Sequence, residues 1–357
     1  MKKIGLFMAM GALLLATVAE AGTIRLRFAS YFPTASAQSK LLEEFCTTVG
    51  ERTNGRVKID FFGGGSLLKA TKVYDGVVQG IADIGFSHIE YTVGRFPLTE
   101  ILDLPLGYPS AWVGSHVANE FYLRFRPKEW NKVHVLWFVA CTPNQLLLRN
   151  KPVHRLEDLR GLTIRGPGRI GQVVEALGGT AKPVPMNEAY EALARGVVDG
   201  VLISLEVLRS FRLADVIKYV TLCSEATNFY TFYVVMNKEV WNKLPTDIKV
   251  IMERTSAEFG ERMALLWNMA DFLGVEDAKR KGVKFISLPP EELNRWKQAV
   301  RPVVDNYLKL LEEKGYKREK LEGMVSFIRE RINYWTKKQI EWRIKSATGP
   351  KEMREAF

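Results

Sequence analysis

The sequence predicts an α/β protein of two domains, joined by crossing strands and by a long helix that spans both. Three observations predict it. The chain has 357 residues, against the ~100–200 usual for one domain. Short apolar strands alternate with amphipathic helices, the order that builds a parallel sheet with helices on its faces. One helical pattern, Pro245 to about Lys281, far exceeds the ordinary ~11–12 residues of a globular helix.

The chain opens on an export signal. Lys2 and Lys3 precede an apolar run from Ile4 to Val18, and Ala19-Glu20-Ala21 follows. A charged start, an apolar stretch and an A-x-A site mark a secretory signal peptide cleaved after Ala21. The run falls short of the ~20 residues that span a bilayer. No cysteine follows it to carry a lipid.

Residues 24–30 alternate apolar and polar, as a strand does. After a turn at Tyr31–Thr34, Ser36 caps a helix through Leu41, Leu42 and Phe45 that ends by Gly55. Residues 57–62 form a second strand, closed by Gly63-Gly64-Gly65. A helix follows from about Lys69 to Gln79, then a buried strand from Ala82 to Ser87 ending at His88. Three prolines break the pattern over 97–110. Ala111 to about Phe125 reads as a helix, and Val133–Ala140 and Gln145–Leu148 as strands. Cys141-Thr142-Pro143-Asn144 between them suits a crossing between domains.

Residues 156–171, LEDLRGLTIRGPGRIG, form the centre of the chain. They read as a turn, a strand (Leu162–Arg165), a glycine-rich turn and a helix starting near Gln172. Arg165 ends its strand, where open α/β sheets bind ligands. Its planar, permanently charged guanidinium forks onto a carboxylate through two parallel hydrogen bonds. Arg165 is therefore the candidate anchor for a small carboxylate, with a surface ion pair as the bland alternative.

The stretch also satisfies G-x-G-x-x-G at Gly166, Gly168 and Gly171, with Glu188 downstream. Pro167 has no N–H to offer a pyrophosphate, and a charged strand end is a poor first strand for a nucleotide fold. No dinucleotide cofactor is expected.

Ala181–Val184 reads as a strand, and Asn187 as the cap of a helix carrying Tyr190 and Leu193 that ends at Gly196. Val201–Ser204 is another strand. Residues 228–236 form an aromatic strand that crosses back to the first domain. Past the long helix come a last strand, Val283–Ile286, and amphipathic helices over 290–315 and 318–345. Their Trp296, Trp335 and Trp342 suit packing at helical spacing.

Composition narrows the function. The formal charge is +11, but the basic residues are interspersed and no basic tract carries interleaved aromatics, which argues against nucleic acid. Cys46, Cys141 and Cys223 are an odd set without zinc spacing; burial is the default, with one bridge open in an oxidising compartment. His88, His116, His134 and His154 form no metal pattern. No nucleophile motif or carboxylate pair stands out, so no catalytic, metal or cofactor residues are assigned.

Five segments together resemble the DctP-like family, the extracytoplasmic solute-binding proteins of tripartite ATP-independent periplasmic (TRAP) transporters. They are IRLRFASYFP after the signal, GRVKIDFFGGGSL with GIADIGF, DLRGLTIRGPG with Arg165, PVPMNEAYEALARGVVDG, and TFYVVMNKEVWNKLP before the long helix. The fourth, Pro-x-x-Glu-x-Tyr-x-x-Leu-x-x-Gly-x-x-Asp-Gly in spacing from Pro185 to Gly200, is the most specific. The resemblance covers the chain up to about residue 315.

The resemblance implies the two-domain periplasmic solute-binding fold. Residues 22–142 with 229–270 would form one domain and 143–228 with 271–315 the other, leaving a helical extension over 316–357. It implies a monomer without enzymatic activity that closes on a ligand and delivers it to the small and large membrane subunits of a permease. Arg165 occupies the family's carboxylate-clamping position. Other pocket positions fall at Tyr31, His88, Tyr91, Gln145, Met186, Ile203 and Ser204, with Phe229 and Tyr230 nearby. The sialic-acid-binding branch has a second arginine near Gln145, an acidic residue at His88 and an asparagine at Ile203. Losing these argues for a monocarboxylate with an aromatic or aliphatic tail; a dicarboxylate would need a second cation. An exported enzyme and the binding component of an ATP-driven importer are the alternative readings.

Overall fold

The computed structural model describes residues 22–354, so the signal expected over 1–21 lies outside the described residues. Among the described residues no helix is long and apolar enough to cross a membrane.

The chain begins with β1 (Ile24–Ser30), α1 (Ala37–Arg52), β2 (Val57–Phe62), α2 (Val73–Val78) and β3 (Ile84–His88). α3 (Ala111–Phe125) and β4 (Val133–Ala140) complete the first pass. The chain then lays down β5 (Gln145–Leu148), β6 (Thr163–Arg165), α4 (Gly168–Ala176), β7 (Thr180–Lys182) and α5 (Met186–Ala194). β8 (Gly200–Ile203), α6 (Val207–Ser210) and β9 (Tyr219–Leu222) follow. It returns through β10 (Thr231–Asn237) and α7 (Lys238–Lys243) to α8 (Thr246–Arg280). β11 (Lys284–Ser287), α9 (Pro290–Glu313) and α10 (Arg318–Glu341) end it.

Two sheets result, one per domain. The first has the order β2-β1-β3-β10-β4, the second β11-β9-β5-β8-β6-β7. In the first, β1 is parallel to β2 and β3, as the β-α-β-α-β order requires. β10 enters from the other domain and runs antiparallel to β3 and β4. In the second, β6 is parallel to β8 and β7, whereas β5 runs antiparallel to β8 and β9.

Three connections join the domains. The two crossing segments lie side by side: Cys141 N donates to Tyr230 O at 3.2 Å and Asn144 N to Asn228 O at 2.9 Å. The third is α8, which packs on α1 and α3 of the first domain and on α6 of the second. A Cβ at Gly274 would meet Leu205 O at 2.3 Å, so glycine is what lets α8 approach the turn after β8. One turn earlier, Asp271 accepts from Glu206 N at 2.8 Å and from Thr142 Oγ1 at 2.5 Å. One carboxyl thus ties α8 to a crossing and to the second domain. α9 packs on α4, and α10 packs on α3 and α9, so the terminal helices also bridge the domains.

Several expectations need correction. The helix after Arg165 starts at Gly168, not near Gln172. The expected helix from Lys69 to Gln79 is a 3-10 turn over Ala70–Lys72 followed by the short α2. The strand expected at Ala181–Val184 is Thr180–Lys182. Asn187 caps nothing: Pro185 is the N-cap residue of α5, and its fixed φ suits the helix entry without a side-chain bond. β9 carries no alternation and was not expected; it is an inner strand between β5 and β11. All three cysteines are buried and unbridged.

Candidate functional site

The carboxyl ends of parallel strands from both sheets meet across the gap between the domains. Tyr31 follows β1 and His88 ends β3; Arg165 ends β6 and Ile203 ends β8. A residue at such an end leaves the ladder with its side chain free to face the crevice. There they enclose a cavity of about 20 Å³, room for one or two waters. Of the expected residues, Tyr31, His88, Arg165, Met186, Ile203, Ser204 and Tyr230 line it.

Arg165 is wholly buried, not at an open rim as its strand-end position implied. The domains close over it. Nε donates to Val184 O at 2.8 Å and Nη1 to the Tyr230 hydroxyl at 2.7 Å. Its guanidinium lies 5.6 Å from the Tyr230 ring centroid. Nη2 is buried without a hydrogen-bond partner. No carboxylate of the described residues pairs with Arg165, although a buried cation without a counter-charge is costly.

Tyr91 does not line the cavity, but its hydroxyl faces the Arg165 guanidinium. Its hydroxyl accepts from Met186 N at 2.8 Å, an interdomain bond. Its ring lies 3.8 Å from that of His88 and 5.5 Å from that of Tyr31, centroid to centroid. Burial first, and then the charge of Arg165, hold His88 well below the ordinary histidine range. The imidazole is therefore neutral, and its buried Nδ1 has no partner.

Besides Tyr91, two further expected residues do not join the cavity. The Gln145 side chain turns to the end of β9, where Oε1 accepts from Cys223 N at 2.6 Å and Ser224 N at 3.1 Å. Phe229 packs on Tyr108, 4.1 Å between centroids. Extended backbone alternates its side chains, so Tyr230 faces the cavity and Phe229 faces away. The same alternation brings in Phe232, which the sequence reading missed. Phe32, Cys141, Glu206, Val207 and Phe211 also line the cavity; Phe32 follows an assigned tyrosine, whereas nothing local marks Glu206 or Phe211.

The glycine-rich turn has a different task. Gly168 has φ +53°, and a Cβ there would sit 1.5 Å from Glu90 Oε2. Glu90 comes from the first domain, and its carboxyl accepts Arg169 N at 2.7 Å, at the start of α4. The helix N-terminus thus holds a carboxyl of the chain itself. Arg169 then pairs through Nε with Glu100 Oε2 at 3.2 Å and stacks 4.3 Å over Tyr307. The Tyr307 hydroxyl donates to Pro97 O at 2.7 Å and also lies 3.1 Å from Glu100 Oε2. Asp103 adds a third carboxyl to Glu90 and Glu100, all buried. Burial raises Asp103 to about 8, and burial reinforced by Asp103 and Glu100 raises Glu90 well above the carboxylate range.

Comparison with known proteins matches this architecture. The family model for bacterial extracellular solute-binding protein, family 7 (DctP), fits residues 28–310. A solute-binding protein of Albidiferax ferrireducens is 26% identical over 84% of this chain and 93% of its own length. The open form of a TRAP periplasmic solute-binding protein from Desulfovibrio salexigens is 30% identical, with TM-score 0.74, over 86% of this chain and 96% of that one. A marine-metagenome TRAP solute-binding protein specific for aromatic acids, crystallised with 3-hydroxybenzoate, is 25% identical with TM-score 0.83, over 88% and 99%. The chain belongs to the DctP family of TRAP periplasmic solute-binding proteins.

Proposed function

We propose that this chain captures a small monocarboxylate with an aromatic or aliphatic tail between its two closing domains. It then hands the ligand to the small and large membrane subunits of a TRAP permease. It acts as a periplasmic monomer, after removal of residues 1–21, and carries out no chemistry on its cargo. The single observation behind the ligand class is the Arg165 guanidinium, buried without a carboxylate partner against an aromatic cavity. Nε is held by Val184 O and Nη1 donates to the Tyr230 hydroxyl, so the Nη1–Nη2 edge is opened to a ligand by Nη2 together with the second N–H of Nη1 or by displacing that hydroxyl. That edge suits a two-point, charge-assisted contact with a carboxylate.

The lining sets the tail. Phe32, Phe211, Phe232 and Met186 are apolar, and Tyr31 and Tyr230 present rings. Such a wall rewards buried hydrocarbon at about 25 cal/mol per Å², with polar partners limited to His88, Ser204, Glu206 and the two tyrosine hydroxyls. The aromatic-acid specificity of the marine relative supports the same direction. A cavity of about 20 Å³ has no room for a ring, so the ligand enters an opened cleft and pushes these side chains apart. A thermal-shift screen should rank benzoate, phenylacetate and branched monocarboxylates above sugar acids and C4-dicarboxylates. A sugar acid or dicarboxylate giving the largest shift would overturn the ligand class.

A further inference from the structure

A second, more open space adjoins the first. It is a groove of about 460 Å³ between Ser36 and Gln38 of the first domain, Arg209 and Ser210 of the second, and Leu273 of α8. Glu206 lines both this groove and the Arg165 cavity. It is buried, and Oε2 accepts from Gln38 Nε2 at 3.2 Å and from the Ser210 hydroxyl. Gln38 lies on α1 in the first domain; Glu206 lies just past β8 in the second. Their bond therefore forms only when the domains meet. Gln38 Oε1 remains buried and unpartnered, so the contact is made at one point and is not a fully satisfied lock.

We propose that the Glu206–Gln38 pair is the partition that limits ligand tail length, closing the Arg165 cavity off from the outer groove. This rests on the carboxylate reading of Arg165. A carboxylate held at Nη1–Nη2 fixes one end of the ligand, so its far end is measured against whatever stands across the cavity. Short tails are enclosed by the partition. Longer tails meet it and either strain the closure or stay outside. Removing it joins the cavity to a groove with the apolar wall of Ala270 and Leu273. Burial raises Glu206 to about 8, so at neutral pH the wall is an uncharged carboxyl and does not repel an anionic ligand. Closing it strands no buried charge.

The test is a chain-length series on the mature protein: benzoate, phenylacetate, 3-phenylpropionate and 4-phenylbutyrate, measured by calorimetry. Wild type should lose affinity sharply at one step of the series. In Glu206→Ala and in Gln38→Ala the ratio of long-tail to short-tail Kd should fall by about tenfold or more. Each methylene admitted to a half-open groove is worth roughly two- to fourfold. Glu206→Gln keeps the bulk and should keep the length cut-off. Arg165→Ala separates the two claims. If binding depends on Arg165 but the length profile is the same in wild type, Glu206→Ala and Gln38→Ala, the partition is wrong and the anchor stands. If no member of the series binds wild type, or binding ignores Arg165, both fall together. Gln38→Ala lies on the other domain from Glu206, so a folding defect in one variant leaves the other to decide.

Discussion

Arg165 and Arg169 lie four positions apart, both buried at the seam between the domains. Their surroundings differ in one respect. Arg169 meets a carboxylate of the protein, Glu100, at 3.2 Å, and its own amide holds Glu90. Arg165 meets a carbonyl and a phenol, both neutral, and keeps one nitrogen without a partner. The first arginine closes the seam with charge the protein supplies. Under the proposed function, the second is the one that takes charge from outside, the carboxylate of the ligand. If that proposal holds, a difference this local lets two arginines of one segment serve structure and binding separately.

The largest expected effect follows from Arg165. Arg165→Ala should weaken a bound monocarboxylate by roughly two to four decades, the ~3–5 kcal/mol of stranding a buried charge. Without ligand the melting temperature should change little, because removing a buried cation without a counter-charge offsets the loss of its hydrogen bonds to Val184 O and the Tyr230 hydroxyl. Arg165→Lys keeps the charge without the fork and should fall between the two. A ligand amide should lose about as much as the variant does, and the two losses together should be far from additive. Calorimetry and thermal melts on the same preparations decide this. A folded Arg165→Ala that binds within a few-fold of wild type would make both arginines structural and end the comparison.

Arg169 should behave in the opposite sense. Arg169→Ala strands Glu100 in the seam without its partner, again at up to ~3–5 kcal/mol. Here the cost falls on the ligand-free closed protein. The melting temperature should drop, and scattering should show a larger radius at any given ligand concentration. Ligand affinity should fall only through the harder closure. If Arg169→Ala melted like wild type while losing all affinity, the assignment of the two arginines would have to be exchanged.

How far this was legible in the sequence depends on the range of the interaction. Strand ends are local, so Arg165 could be placed at the crevice from its own strand, whereas Tyr31, His88 and Met186 were placed there by the family resemblance alone. The two crossings and α8, like Arg165, were legible from local pattern. The socket at Gly168 was not. Its glycine fits a nucleotide motif equally well, and only the fold brings in Glu90 from 78 positions earlier. The burial of Arg165 was also hidden, because it is made by residues of the other domain and not by its own strand. Phe229 and Tyr230 were both named, and only strand alternation, applied at the right register, tells them apart.

The pH dependence tests whether the seam closes on protonated carboxyls. Burial raises Asp103 and Glu206 to about 8 and Asp271 to about 7, and raises Glu90 as well. The groups facing Glu90 are Asp103, Glu100 and Arg169; those facing Glu206 are Gln38, Ser210 and Asp271. An acid raised on closing holds its proton better in the closed form than in an opened, hydrated one. Its contribution to closure is full below the ordinary carboxylate pKa of about 4 and is lost as pH rises towards about 8. Ligand affinity should therefore weaken from pH 6 to pH 9, by up to about tenfold per pH unit for each proton so held. Over that range Arg165 and a benzoate-like ligand keep their charges, so the trend belongs to these carboxyls, Glu206 acting also as a cavity wall that repels an anion once it ionises. Titrations in buffers of different ionisation enthalpy should show proton uptake on binding. A flat profile without uptake would mean that the seam carboxyls keep the same protonation open and closed.

The smallest effect on binding is expected at Gln145, which stands where the sialic-acid-binding branch would place a second arginine. If the site held a second carboxylate-reading residue there, Arg165 would not be alone and the contrast with Arg169 would weaken. The geometry points elsewhere. The Gln145 amide oxygen accepts the two N–H groups that end β9, Cys223 at 2.6 Å and Ser224 at 3.1 Å. Both are backbone donors in a buried corner, and leaving them without an acceptor costs ~1–3 kcal/mol. Gln145→Ala should therefore lower the melting temperature while leaving monocarboxylate affinity within a few-fold. Gln145→Glu keeps an acceptor oxygen for the same donors and should recover much of the lost stability, less the cost of burying a carboxyl beside them. Arg165→Ala is expected to show the reverse pattern, with affinity lost and stability kept. The two variants measured side by side, for melting and for calorimetric affinity, separate a residue that holds the strand end from one that holds the ligand. If Gln145→Ala lost a decade or more of affinity at an unchanged melting temperature, the amide would be reading the ligand, and Arg165 would share its task.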